Sequence, residues 1–481
     1  MGPGLGNLTY TPAEVFAPVG YVESPHGHGN VTLVQGYLMV IYSSDGGGNE
    51  TNGGIEFWDV SNPRMPRRVY QYDDAQTHGL REAHGFSLAH YGSQLLLAAQ
   101  GVTGIQIWDV TRPSALSLVT SFPVPGIARG DYSGDWWLFW QAPYVFLAGV
   151  DQGLYVIDAS VPSAPVLLAQ VPTGDLGGVS PAQVFVLGNL AVVMESQGGD
   201  MATLDVSDPA RPRLLQQFSG RAGYSHLFAG DGKILTSGSI PPRAHFFQVT
   251  PTGDISFLDT VGFYFNSGGY GSYQDGYFHS GFSNDYRKFQ ISPPSEVGSG
   301  SSGRTDRDED FATVLGNVVV AGDDHGVGTA IIPHQAAPDT TPPTVAWMHP
   351  PSGSTGLPLT SRIGLSYSDH IDAASLTEAN VRLLDDTGAV VPARVSAQMG
   401  LVNLAPLTDL GVLRSYRVVA ENVRDVAGNA SPRFEGTFTT GDGGVAQSPT
   451  GAITNVDVNG GFGRYALGTF TAGRRTYSDR D

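Results

Sequence analysis

Hydrophobic positions in this 481-residue chain fall in short runs, separated by turns rich in glycine, proline and aspartate. Residues 37–40, 95–98, 145–148, 191–194 and 318–321 are such runs. A Gly/Asp turn follows several of them, as in Gly101-Val102-Thr103-Gly104 or Asp151-Gln152-Gly153, and then a second apolar stretch begins. That order is a hairpin signal. No segment sustains the unbroken 3.6-residue period of a long amphipathic helix, so the pattern predicts strands throughout.

The second stretch is a repeat. Ile55-Glu56-Phe57-Trp58-Asp59-Val60 runs into Ser61-Asn62-Pro63, and Ile105-Gln106-Ile107-Trp108-Asp109-Val110 into Thr111-Arg112-Pro113. Leu154-Tyr155-Val156-Ile157-Asp158-Ala159 leads to Ser160-Val161-Pro162, and Ala202-Thr203-Leu204-Asp205-Val206 to Ser207-Asp208-Pro209. Weaker copies stand at His245-Phe246-Phe247-Gln248-Val249, Tyr286-Arg287-Lys288-Phe289-Gln290-Ile291 and Thr329-Ala330-Ile331-Ile332. The copies number about seven at spacings of roughly 42–50 residues, the period of propeller blades. One strand precedes each hairpin and one follows the motif, so each unit holds four strands. The seventh unit lacks an outer strand, because Pro338, Pro342 and Pro343 follow it, while residues 15–22 form an outer-type strand without an inner partner. Pairing the two would close the ring and hide both edges.

At these residues a resemblance enters. An apolar run, Gly-Leu/Ile, an apolar-Asp-Val/Ala ending and Ser-x-Pro-x-x-Pro are similar to the LVIVD-repeat family of bacterial surface and secreted propellers, over roughly residues 12–335. Trp58-Asp59 and Trp108-Asp109 also resemble the WD40 signature, but the Gly-His partner of that signature is absent at its usual offset. Beyond the proline-rich linker Asp339-Thr340-Thr341-Pro342-Pro343-Thr344, short strands are expected around residues 362–367, 381–384, 416–420 and 434–438. With Ile371-Asp372-Ala373-Ala374-Ser375-Leu376-Thr377 and Val426-Ala427-Gly428-Asn429, this region resembles bacterial Ig-like modules, which implies a spacer or adhesive unit. The expected fold is therefore all-β: a seven-bladed β-propeller over residues 1–337, a C-terminal Ig-like β-sandwich over 338–440, and over 441–481 a linker or the start of a further β module. The chain stops soon after Tyr477, which suggests a fragment of a longer protein.

Composition narrows the partners. A net charge of −19 with no basic stripe argues against nucleic acid. The absence of cysteine removes disulfides and thiolate chemistry and fits a bacterial protein exported without disulfide pairing. No apolar run reaches the roughly 18 residues that a membrane helix needs. The resemblance places the protein outside the cell or at its surface, with a signal peptide absent from this chain.

Ligand sites of propellers gather where the inner strands begin, around the channel mouth. His28, Glu82, His84, Trp136, Gln183, His226, Tyr270 and Asp310 fall at those positions. His28, His84 and His226, with Asp310, form a candidate divalent-metal set, since imidazole and carboxylate suit zinc, iron or manganese. The same imidazoles also serve as ties between blades. Asp306-Arg307-Asp308-Glu309-Asp310 and the Asp-bearing turns offer oxygen ligands for calcium, although turn formation explains them equally. No Gly-x-Ser-x-Gly elbow or phosphate loop is present. Three functions follow: a non-enzymatic platform for a protein or glycan partner, a metal-dependent hydrolase or lyase at the His-rich mouth, or a self-assembling subunit of an extracellular layer or fibre.

Overall fold

The computed structural model of the chain describes residues 5–23, 27–43, 53–73, 79–80, 84–127, 134–195, 199–220, 225–239, 242–262, 268–282, 285–303, 310–322, 329–443, 469–472 and 475–478. Among them the regular structure is almost entirely strand, with three short 3-10 turns. No described helix is long and apolar enough to cross a membrane.

Residues 20–333 build four-stranded antiparallel sheets in chain order. The first holds Gly27–Val34, Tyr37–Ser43, Gly54–Asp59 and Arg67–Tyr72 from inside to outside. Five more follow the same course, beginning at Ser87–Tyr91, Trp137–Gln141, Gln183–Leu187, Ser225–Ala229 and Gly268–Gln274. In the seventh, Phe311–Leu315, Val318–Gly322 and Thr329–Pro333 take their outer strand from the N-terminus, where Gly20–Val22 pairs antiparallel with Thr329–Pro333.

The local chemistry of the repeat explains why each sheet exits alike. Asp59, Asp109, Asp158 and Asp205 each end a third strand and accept the backbone N–H two residues on, at 2.8–3.0 Å. This Asx turn aims the chain at the outer strand. The next residue, Val110, Ala159 or Val206, is buried and donates its N–H back to Leu95, Pro143 or Asn189 at 2.8–2.9 Å. One residue pair before the exit, the third and outer strands shift register, at Phe57/Trp58, Ile107/Trp108, Val156/Ile157 and Thr203/Leu204. A bulge there sharpens the twist that gives a blade its pitch.

Polar links tie neighbouring sheets into a ring. Asn30 donates to the His84 carbonyl, Trp140 N–H to Ser87 Oγ, and Val150 N–H to the Pro181 carbonyl. Thr203 then donates to Gly253, Ser237 to Gly269, Ser272 to Ala312 and Thr313 to Asn30, which completes the circuit.

Residues 345–440 form a two-sheet sandwich. Val345–His349, Ile363–Tyr367, Leu401–Pro406 and Ala393–Gln398 make one sheet; Ser354–Leu357, Phe434–Thr440, Ser415–Ala420, Val381–Leu384 and Val390–Val391 make the other. Ile363, Leu365, Val402, Leu404, Leu383 and Val418 fill the space between them. The same hydrophobic cluster continues into Phe86, Leu88 and Leu97 of the propeller, so the two cores are continuous.

Candidate functional site

Take the face where inner strands begin as upper and the opposite face as lower. Near the upper end of the axis, rings from four sheets stack. His84 lies 4.9 Å from Trp136, 4.9 Å from Tyr270 and 5.6 Å from Phe311, all close to parallel. Tyr270 stacks on Phe311 at 4.6 Å, and Trp137 lies 5.8 Å from Tyr270. The Trp136 indole N–H donates to the Tyr270 hydroxyl. His84 Nδ1 is 3.1 Å from the Trp136 carbonyl, and since a carbonyl only accepts, that nitrogen carries a proton. Gly85 makes the stack possible, because a Cβ there would lie 2.4 Å from the Trp137 ring.

Of the mouth residues expected from the sequence, the structure thus brings together His84, Trp136 and Tyr270. Asp310 is buried beside them, its carbonyl accepting the Tyr270 N–H at 2.5 Å. Gln183 is buried at the start of the fourth inner strand. The backbones of His28 and His226 pair with Tyr42 and Thr236. Their side chains, together with Glu82 and residues 306–309, lie outside the described residues.

The lower end of the channel is occupied by the sandwich. Its hairpin Ala393–Gln398/Leu401–Pro406 enters the ring, and Ser396 and Ala397 pair antiparallel with Ala89 and Leu88 of the second inner strand. At the tip, the Gln398 amide donates to the carbonyls of Phe86 and Leu138 at 2.7 and 2.9 Å, and its Oε1 accepts from the Trp137 indole at 3.2 Å. Further down, Asn403 Oδ1 accepts from Gln141 and from Gly188 N–H at 2.8 Å each. Arg362, fully buried, donates to Gln141 Oε1 and the Val206 carbonyl and lies 5.1 Å from the Tyr144 ring centroid. Burial lowers its pKa to about 10. Beside the tip a cavity of about 20 Å³ remains, lined by Asn30, Thr32, Trp137, His370, Gln398 and Met399. That is room for roughly one water.

A second cluster sits at the seam. Asp339 of the linker, Asp369 after Ile363–Tyr367, and Asp425 are all buried, with carboxylate oxygens within 4.8 Å of one another. Gln274 of the sixth sheet donates to Asp339 Oδ2 and Asp369 Oδ2 at 3.1 and 3.0 Å. Asn429 donates its backbone and side-chain N–H to Asp425 at 2.8 and 2.9 Å. Among the described residues no Lys or Arg forms an ion pair with the three. Burial raises Asp369 and Asp339 above the ordinary carboxyl range and Asp425 to about 6. Three carboxylates so close and so dry cannot all ionise alone; the group holds a proton or accepts a hard divalent cation.

The model of the LVIVD repeat matches residues 143–173 and 181–219, and that of the bacterial Ig-like domain matches residues 339–440. The chain carries LVIVD repeats and a bacterial Ig-like domain. The two LVIVD matches cover three strands of the third sheet and all four of the fourth, where the Asp-Ala-Ser and Asp-Val-Ser exits are regular. No curated protein matches the chain. Among solved structures, the computationally designed Ika8 protein is similar at 11% identity, covering 66% of this chain and 99% of that one, with a TM-score of 0.44. The β-propeller domain of Myceliophteria thermophila Cps50 (Swd1) is similar at 11% identity, covering 66% and 98%, with a TM-score of 0.46.

The resemblance implied a spacer role for the Ig-like domain; in the structure the domain fills the lower channel of the propeller. Gln398, Asn403 and Arg362 carry that contact, and sequence reasoning singled out none of them. A polar residue at an inward position of a strand was the available signal. The acidic seam was equally unread, although Asp425 opens the Asp425-Val426-Ala427-Gly428-Asn429 turn that marked the Ig-like resemblance.

Proposed function

We propose that the protein is a non-enzymatic interaction platform that engages a protein or glycan partner at the upper face of its propeller, outside the cell or at its surface. One observation carries the reading: the axis is filled from both ends, by the Gln398 hairpin from below and by the His84–Trp136–Tyr270–Phe311 stack above. Among the described residues the cavities beside the hairpin tip are small, about 20 and 10 Å³, too little for a substrate. Recognition then belongs to the rim, where propellers present broad surfaces rather than pockets. The extracellular setting rests on the LVIVD and Ig-like pairing, which is typical of bacterial extracellular proteins.

The test pairs binding with metal content. Wild type and Trp136→Ala are screened on immobilised bacterial glycans and envelope peptides, and purified protein is analysed for zinc, iron and manganese. Binding weakened by Trp136→Ala, with no stoichiometric transition metal, supports the platform. One equivalent of metal that disappears in His84→Ala, together with hydrolase or lyase turnover, replaces it with the metal-dependent enzyme.

A further inference from the structure

The chain has two lysines, and they sit in opposite surroundings. Lys233 Nζ is held by the Asp231 carboxylate at 2.8 Å and by Gln248 Oε1 at 2.5 Å. Lys288, half-buried in Asp285–Ile291 of the sixth sheet, has no such anchor. Its Nζ lies 3.1 Å from His334 Nδ1 and 4.4 Å from the centroid of the Tyr277 ring. Neither group is an anion, and among the described residues no carboxylate forms an ion pair with it.

His334 is fixed as an acceptor. Its Nε2 is 2.8 Å from the Gly316 carbonyl and must donate to it, so Nδ1 turns a lone pair towards the amine. His279 stands opposite Lys288 in the strand pairing, fully buried, 4.7 Å from the His334 ring and 5.8 Å from Tyr286. Burial and the charges of its neighbours keep both imidazoles neutral, His334 at about 3. Among the described residues the charge of Asp275 reaches Nζ, and burial raises the Asp275 pKa. Arg287 is spent on Asp285 and Glu296 at 2.9 Å each. Among the described residues the pocket therefore gives the amine one lone-pair acceptor and one aromatic face, with no carboxylate in ion-pair contact and Asp275 acting only at a distance. An ammonium leaves donors unmet there, while a neutral amine donates to His334 and keeps its own lone pair.

We propose that Lys288 is the nucleophilic amine of this chain, a modification site that condenses with aldehydes and related small carbonyl compounds. The Nζ lone pair adds to the carbonyl carbon, the carbinolamine loses its oxygen as water with the two amine hydrogens, and an imine remains. No oxidant or reductant takes part. His334 acts as a positioning residue, its Nδ1 accepting an N–H of the amine and so orienting it. Burial also depresses the Lys288 pKa to about 8, which leaves a usable neutral fraction at physiological pH.

The experiment treats the whole chain with limiting benzaldehyde at neutral pH, fixes imines with cyanoborohydride, and reads both lysine peptides by mass spectrometry. At pH 7 an amine at about 8 is roughly two hundredfold more deprotonated than an ordinary lysine amine near 10.4, and with part of that gain lost to its lower basicity Lys288 is expected to label at least tenfold faster than Lys233. Its rate should inflect near pH 8, and in urea the two lysines should label alike. Labelling of Lys233 as fast as Lys288, or a preference that survives in urea, overturns the proposal. Lys288→Arg should abolish the label with an unchanged circular dichroism spectrum, and His334→Phe should lower the inflection; an unmoved inflection removes His334 from the site.

Discussion

At Gly188, where the Ig-like domain touches the fourth blade, backbone geometry admits one residue. Its φ is +60°, and a Cβ would lie 2.1 Å from the His349 carbonyl oxygen. Gly188→Ala therefore combines left-handed strain with a backbone clash and should cost on the order of 2–4 kcal/mol. Urea unfolding followed by tryptophan fluorescence measures it; a loss below about 0.5 kcal/mol would show that the seam can yield. Asp109 makes the opposite kind of prediction. Its Oδ1 accepts from Thr111 N–H at 2.9 Å in a turn that is only partly buried, so Asp109→Ala should cost about 1 kcal/mol in the same assay. The repeat's Asp was legible in the sequence because a local turn depends on neighbours two residues away. Gln398 was not, since its partners Phe86, Trp137 and Leu138 lie more than two hundred residues earlier.

The acidic seam belongs to the scale of elements, because linker, propeller turn and two Ig-like loops meet there. Burial holds Asp425 at about 6, above the ordinary carboxyl value near 4, and it raises Asp339 and Asp369 as well. Between those values the folded chain keeps protons that the unfolded chain has released, so stability falls as pH rises from about 4 through 6 and beyond. At pH below about 4 both states are protonated and the cost vanishes. The melting temperature is expected to drop across this window, and Asp425→Asn to flatten the drop, recovering on the order of 2 kcal/mol at pH 7. Differential scanning calorimetry at fixed ionic strength tests it; an unchanged slope in the variant would exclude the seam as its source. A calcium titration of the same two proteins at pH 7 separates a held proton from an accepted cation, which would raise the wild-type melting temperature alone.

For the whole molecule, the continuous core and the inserted hairpin predict one cooperative transition rather than two. Removing the Ig-like domain would uncover Leu88, Trp137, Phe185, Leu227 and Phe228, which now face its strands or the cavities beside them. A chain ending at residue 337 should aggregate or melt well below the intact protein, whereas a calorimetric scan of the intact protein should show a single peak. Two resolved transitions, with a soluble truncated propeller of undiminished stability, would show that the hairpin merely occupies the channel.

The sequence by itself determined the architecture. Alternating apolar runs, Asp-capped exits and spaced prolines specify strands and turns through interactions within a few residues, and their recurrence specifies a ring of like sheets. The Thr-Pro-Pro linker and the Ig-like motifs marked the second domain for the same reason. Only the tertiary structure decided that this domain plugs the first, that His84 is sandwiched between rings from three other blades, and that Asp339, Asp369 and Asp425 share one buried space. Each of those depends on side chains brought together from distant segments, where burial and desolvation, absent from any local pattern, set both the geometry and the charge.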